Sequence, residues 1–129
     1  MRTTLDNPAG APQPLGPYSQ VARVQLADGG ALLYLSGQIA DGADITAQSH
    51  GVFATLTALL EAHGATLADI INLRTFLTDM DDLPGYAAVR RTYLTGTPPT
   101  STTVSVPRLF KPEALIEVEV VATCPAGRP

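Results

Sequence analysis

The sequence predicts one domain of the α+β class, in which a mixed β-sheet carries two helices on one of its faces. The chain has 129 residues, which is enough for one domain and short for two. Hydrophobic residues make up 45% of it and charged residues 16%, a balance typical of a globular protein. Strand-like and helix-like segments follow in the order β-β-α-β-α-β-β, and only two helices among mixed strand connections favour this class.

The first third of the chain predicts an extended arm followed by a β-hairpin. Four prolines lie within residues 1–17, and each removes a backbone donor and restricts the residue before it, so these residues form an extended N-terminal arm. Strand-like runs follow at residues 20–26 and 31–39, joined by the turn-forming tetrad Ala27-Asp28-Gly29-Gly30. Gly37 interrupts the second run, which is typical of a β-bulge or of a close backbone approach.

Two segments have the apolar spacing of amphipathic helices. Residues 44–63 carry an apolar stripe at helical spacing, formed by Ile45, Val52, Phe53, Leu56, Leu59 and Leu60. Asp44 is placed to cap the start of this helix, and Gly64 is placed to end it. A second helix is predicted over residues 82–94, with Pro84 in its first turn.

Three further strands are predicted, at residues 70–78, 102–106 and 115–122, and residues 123–129 form a short tail. The last strand alternates strictly. One face has the core residues Ile116, Val118, Val120 and Ala122, and the other has Leu115, Glu117, Glu119 and Val121. The two carboxylates of the second face lie roughly 7 Å apart along the strand. A solvated strand face explains this pair as well as a functional one does, and the role of Glu119 stays open.

Arg90 breaks the pattern of the second helix. The apolar side of that helix consists of Leu83, Tyr86, Ala87, Tyr93 and Leu94, and at 100° per residue Arg90 falls near its middle. An arginine in that position either extends its guanidinium to solvent or meets an anion. The anion would be the carboxylate of Glu117 or that of a bound ligand.

Composition and charge exclude several classes of function. The formal net charge is -4, so the large basic surface of a nucleic-acid-binding protein is not expected. No apolar run reaches the roughly 18 residues of a membrane helix, and no membrane partner is expected. The single Cys124 excludes a disulfide framework, and no cysteine and histidine have zinc-ligand spacing, so no metal is expected. The N-terminus lacks the pattern of a signal peptide, which predicts a cytoplasmic protein.

Five short phrases occur in order over about residues 8–122. They are Leu15-Gly16-Pro17-Tyr18-Ser19-Gln20, Leu35-Ser36-Gly37-Gln38-Ile39, Ala68-Asp69-Ile70-Ile71-Asn72-Leu73-Arg74-Thr75-Phe76-Leu77, Pro99-Thr100-Ser101-Thr102-Thr103-Val104 and Ile116-Glu117-Val118-Glu119-Val120-Val121-Ala122. Together they resemble the RidA/YjgF family, known in older schemes as L-PSP endoribonuclease or translation initiation inhibitor. The resemblance implies a chorismate-mutase-like fold and a homotrimer with small-molecule clefts between subunits. It also implies hydrolysis of enamines and imines, such as 2-aminoacrylate and 2-iminobutyrate, to 2-keto acids and ammonia without a cofactor.

The resemblance also implies roles for individual residues. Tyr18 would line the cleft, Glu117 would hold the attacking water, and backbone groups near Gly37 and Thr103 would border the ligand. The family's carboxylate-binding arginine, in a Pro-x-Arg-Ser/Thr phrase, corresponds to Ser101 in this chain. A serine cannot form a charge-assisted bidentate pair with a carboxylate, so an altered substrate range is expected.

Arg90 occupies the position of a cleft asparagine found in many members of the family. One hypothesis is therefore that Arg90 brings a guanidinium back to the cleft in place of the missing arginine. Three functions stay open at this point: an imine or enamine hydrolase with altered substrate range, a non-catalytic trimer that binds a small metabolite, and a ribonuclease. The negative net charge and the lack of a histidine pair argue against the ribonuclease.

Overall fold

The computed structural model describes residues 1–127, which form one mixed sheet of six strands and two α-helices. In chain order the elements are β1 (Arg2–Asp6), β2 (Val21–Gln25), β3 (Ala31–Gln38), α1 (Ile45–Glu61), β4 (Ile70–Leu77), α2 (Leu83–Tyr93), β5 (Thr100–Ser105) and β6 (Ile116–Cys124). The strand order across the sheet is β1-β2-β3-β6-β4-β5. Strands β4 and β5 are parallel, and the other neighbours are antiparallel. The predicted α+β class is confirmed.

The sheet has one strand more than the sequence pattern predicted. Residues 1–17 were expected to form an arm without a strand, but Arg2–Asp6 pairs with β2 along its whole length. All five residues of this edge strand are exposed, so no apolar alternation marks them. At the other end, β6 continues to Cys124, so the first two residues of the predicted tail 123–129 belong to the sheet. Pro129 lies outside the described residues.

Both predicted helices are present, and their ends agree with the expected capping. The Asp44 carboxylate accepts a hydrogen bond from the Ala47 amide at 2.9 Å, so it caps the start of α1. Gly64 follows that helix with φ of +80°, the left-handed conformation that glycine adopts without strain. Pro84 lies in the first turn of α2, where its missing N–H removes no helical hydrogen bond.

The core lies between the helices and one face of the sheet. The inward residues of β6 are buried as predicted: Ile116, Val118, Val120 and Ala122. The aromatic ring of Phe53 in α1 stacks on that of Tyr93 in α2 with centroids 4.9 Å apart, which joins the two helices. A buried hydrogen bond of 2.6 Å between the Thr75 and Tyr86 hydroxyls ties α2 to β4.

Candidate active site

Glu117 and Gly37 lie in contact where β6 meets β3. The pairing of these strands shifts between Leu35 and Gln38, so Gly37 sits in a β-bulge. A Cβ atom built on Gly37 would lie 2.7 Å from both Cδ and Oε2 of Glu117, nearer than atoms can approach. Glycine is therefore required at this position if the Glu117 carboxyl is to stay where it is. The sequence predicted a β-bulge or a close backbone approach at Gly37. The structure has the bulge, and the backbone of Gly37 is also closely approached, by the side chain of Glu117.

A cleft of about 690 Å³ opens beside the Glu117 carboxyl. The segment 12–18 forms one wall, and Tyr18 belongs to it with 41% of its surface exposed. Two hydrogen bonds fix this wall: Gln20 Nε2 donates to the Pro12 carbonyl at 2.7 Å, and the Ser36 hydroxyl donates to the Ser19 carbonyl at 2.7 Å.

Other parts of the chain complete the lining of the cleft. The connection from β3 to α1 contributes Ile39 and Asp41, and the loop before β6 contributes Phe110 and Lys111. The volume lies in the range typical of small-molecule sites. The cleft therefore has room for a ligand in contact with Glu117.

The environment of Glu117 changes its acid–base properties. Burial raises the pKa of this carboxyl above its usual range, because the charged form loses hydration, and the negative charge of Glu119 raises the pKa further. Glu119 also faces Arg74 across the strand pair, with 3.5 Å between the Arg74 Nη1 and the Glu119 Oε1. A carboxyl with a raised pKa accepts a proton more readily once it is ionised, which suits a general base.

A second group of predicted site residues lies on α2 and β5. Arg90 Nη1 donates to the Ser101 hydroxyl at 2.9 Å. Thr103 lies two residues further along β5, opposite Thr75 of the neighbouring strand. Since the Thr75 side chain bonds to Tyr86 of α2, this register places Ser101 and Thr103 on the helix-bearing face of the sheet.

Glu117 lies on the opposite face of the sheet. It pairs with Phe76 of β4, and directly paired residues point to the same side. Phe76 follows Thr75, so its side chain and that of Glu117 point away from the helices. Within one chain the sheet therefore separates Glu117 from the group of Arg90 and Ser101. Within one chain Arg90 therefore does not pair with Glu117, and its guanidinium donates to Ser101 instead. Its pairing with a ligand carboxylate stays a prediction.

The six predicted site residues thus form two sets. The structure brings Tyr18, Gly37 and Glu117 together around one cleft, and Arg90, Ser101 and Thr103 together near another surface depression. The sequence analysis missed Phe110 and Lys111, which lie at the first cleft. One clue was present, because Lys111 is the only lysine in the chain.

Two further negative observations concern residues 1–127. Over this range no three side chains of histidine, cysteine, aspartate or glutamate are arranged to hold a metal ion. None of the helices described there has both the length and the apolar character needed to cross a membrane.

The sequence model of the family described as Endoribonuclease L-PSP matches residues 9–124, nearly the whole chain. The chain belongs to this family, the RidA/YjgF family. A RutC family protein, SSO3206 of Saccharolobus solfataricus, is 37% identical over 120 residues, which cover 87% of this chain and 90% of the relative. A protein of Dermatophagoides farinae named 2-iminobutanoate/2-iminopropanoate deaminase is 32% identical over 119 residues, covering 86% and 88% of the two chains.

Solved structures agree with this RidA/YjgF assignment. A crystal structure of E. coli TdcF with bound serine has a TM-score of 0.80 to this chain at 29% identity. The match covers 92% of this chain and 97% of TdcF. The family and the fold expected from the five sequence phrases are thereby confirmed.

Proposed function

We propose that this RidA/YjgF-family chain hydrolyses small reactive imines and enamines to keto compounds and ammonia, with Glu117 as the general base. The observation that carries the proposal is the half-buried Glu117 carboxyl, which has a raised pKa and faces a cleft of about 690 Å³. Tyr18 lies in the wall of the same cleft, and Gly37 leaves the space that the carboxyl occupies.

The chemistry needs one positioned proton acceptor and one water molecule. A water held by the Glu117 carboxylate attacks the carbon of the protonated C=NH₂⁺ group, the nitrogen takes the electron pair of the C=N double bond, and Glu117 takes a proton from that water. The carbon then bears a hydroxyl and an amine. Glu117 returns its proton to the nitrogen, the C–N bond breaks, ammonia leaves, and loss of the hydroxyl proton gives the C=O group. The net reaction consumes one water for each imine, and a general base of this kind contributes about a hundredfold to ten-thousandfold in rate.

Two relatives support this class of ligand. The Dermatophagoides farinae relative is named as a deaminase of 2-iminobutanoate and 2-iminopropanoate, which are short imino acids. The TdcF structure contains serine, a small amino acid whose carboxylate and Cα correspond to those of an imino acid. All three molecules are small compared with the cleft of about 690 Å³ beside Glu117.

The proposal includes assembly into a homotrimer with ligand clefts between subunits. Arg90, Ser101 and Thr103 lie on the opposite face of the sheet from Glu117 in one chain. They belong to the same site only where a neighbouring subunit brings its own Arg90 group to the cleft. Sedimentation of the purified chain tests the trimer directly, and a monomer at micromolar concentration would remove Arg90 from the proposed site.

The hydrolysis is tested with imino acids generated in situ from amino acids by an amino-acid oxidase. Keto-acid release is compared for the wild type, Glu117→Gln and Glu119→Gln. Glu117→Gln removes the base at nearly constant volume and is expected to abolish the acceleration over the spontaneous reaction. The matched Glu119→Gln variant removes only a neighbouring charge, and we expect it to keep the acceleration over the spontaneous reaction. Equal rates for the wild type and Glu117→Gln would refute the proposal.

A second candidate is a non-catalytic trimer that binds a small metabolite, and Ser101 is the observation that favours it. Its hydroxyl carries no charge and already accepts a hydrogen bond from Arg90. Retained binding of a keto acid, with no acceleration for any imino acid, would support this candidate over the hydrolase.

A further inference from the structure

We infer that Lys111 and Phe110 determine which substrate enters the cleft, namely an imino acid with a bulky apolar side chain whose carboxylate pairs with Lys111. This inference rests on the proposed function and specifies its substrate class. Both residues lie on the loop before β6, at the same cleft as Glu117. They provide the two features, a positive charge and an apolar surface, that such a substrate needs.

Lys111 is available to a ligand. Among the residues that line the cleft in the described part of the chain it is the only cation, whereas Asp41 and Glu117 are anions. Its ammonium faces Asp41 at 3.4 Å, and the Asp41 side chain is 87% exposed. The Lys111 side chain is 34% exposed, but its partner lies in solvent, so the pair contributes little to stability, and two of the three ammonium donors remain for another acceptor.

The charges in the cleft determine how an imino acid would lie. Its carboxylate is repelled by an ionised Glu117 and attracted by Lys111, so the carboxylate is expected on the side of the C=N carbon that faces Lys111, and the attacking water on the side that faces Glu117. Arg90 does not provide this attraction within the chain, since its guanidinium is on the other face of the sheet and bonds to Ser101.

The apolar lining of the cleft favours a substrate with a large apolar side chain. The walls include Pro12, Pro14, Leu15, Pro17 and Ile39. Phe110 at the cleft is 69% exposed, so it can contact a ligand without first being uncovered. The volume of about 690 Å³ is far larger than a three-carbon imino acid fills. A larger apolar side chain would bury both itself and Phe110, and each buried methylene is worth about fourfold in affinity.

The test compares kcat/KM for imino acids made from alanine and from leucine. The wild type is expected to prefer the leucine-derived substrate at least tenfold, and Phe110→Ala is expected to lose most of that preference. Lys111→Gln is expected to raise KM for both substrates about tenfold or more. Arg108→Gln is the matched control, since it removes one positive charge from the same loop at a residue that does not line the cleft.

A second measurement separates this inference from the proposed function. Binding of 4-methyl-2-oxopentanoate, the stable keto acid of the leucine series, is titrated to the wild type, Lys111→Gln and Arg90→Gln. Weakened binding in Lys111→Gln, with or without weakening in Arg90→Gln, supports the inference even if hydrolysis is absent. Glu117-dependent hydrolysis without side-chain preference, with binding unchanged in Lys111→Gln, overturns the inference and leaves the proposed function intact. Loss of binding in Arg90→Gln alone overturns the inference and indicates that Arg90, not Lys111, binds the carboxylate.

Discussion

Replacement of Gly37 by alanine is expected to reduce activity strongly while it changes stability little. The new Cβ would lie 2.7 Å from Cδ and Oε2 of Glu117 and 2.9 Å from its Cγ. These atoms belong to a side chain that can rotate, and the backbone of Gly37 has no positive φ that would exclude alanine. The substitution therefore displaces the Glu117 carboxyl and leaves the strand in place.

The two effects differ in size because they have different causes. Moving a carboxyl out of its preferred rotamer costs about 0.5–1.5 kcal/mol, which sets the expected loss in the free energy of unfolding. Displacing a catalytic group by about 1 Å reduces the rate on the order of a hundredfold. We therefore expect kcat/KM to fall at least a hundredfold while the free energy of unfolding falls by about 1 kcal/mol.

The assay measures keto-acid release and urea denaturation on the same preparations. Gly10→Ala is the control, because a Cβ at that glycine meets no atom within 4 Å. The double variant Gly37→Ala/Glu117→Gln should be no less active than Glu117→Gln alone, since both changes act on one carboxyl. A Gly37→Ala variant with wild-type kcat/KM would refute the assignment of the base.

Two other predictions follow from local contacts. Because Glu119 is one of the two causes that raise the pKa of Glu117, Glu119→Gln should move the acid limb of the kcat/KM profile to lower pH. Burial should keep that limb above the usual range of a glutamate. Separately, Tyr86→Phe should lower the free energy of unfolding by about 1–3 kcal/mol, because it leaves the fully buried Thr75 hydroxyl without its partner. Urea titration at one fixed protein concentration measures this loss.

Each of these two predictions has a clear contrary result. The base form of Glu117 is lost as pH falls through its raised pKa. An acid limb at the same pH in Glu119→Gln as in the wild type would mean that burial alone raises the pKa of Glu117. For the hydroxyl pair, Thr75→Val in the Tyr86→Phe background removes the unpaired group and should recover part of the lost stability. An undiminished loss in that double variant would place the effect in packing around the ring.

Apolar periodicity accounts for the parts of the fold that were predicted correctly. The stripe of α1 and the strict alternation of β6 each bury one face, so the sequence records which side faces the core. The edge strand Arg2–Asp6 was missed because its pairing with β2 is a backbone interaction and all its residues are exposed. A strand whose residues are all exposed has no alternation of apolar and polar residues by which the sequence could reveal it.

The candidate site was predictable to different degrees at different residues. Alternation alone placed Glu117 on the face opposite the core, whereas Tyr18 entered only through the family resemblance. Arg90 and Ser101 were each identified separately, but the 2.9 Å hydrogen bond between them depends on how α2 packs over β5. Lys111 was missed because it lies in an irregular loop, where position in the sequence does not determine position in space.

The residues proposed to catalyse the reaction and the residues proposed to select the substrate lie on different parts of the fold. Glu117 is on a central strand, between β3 and β4, so its position is fixed by the sheet and by the space at Gly37. The groups expected to select the substrate, Phe110 and Lys111, are on a loop that can change without disturbing a strand. Substitution of Phe110 should therefore alter which imino acid is used, and substitution of Lys111 should weaken the binding of all of them. Changes at Glu117 or Gly37 should slow the hydrolysis of every substrate alike.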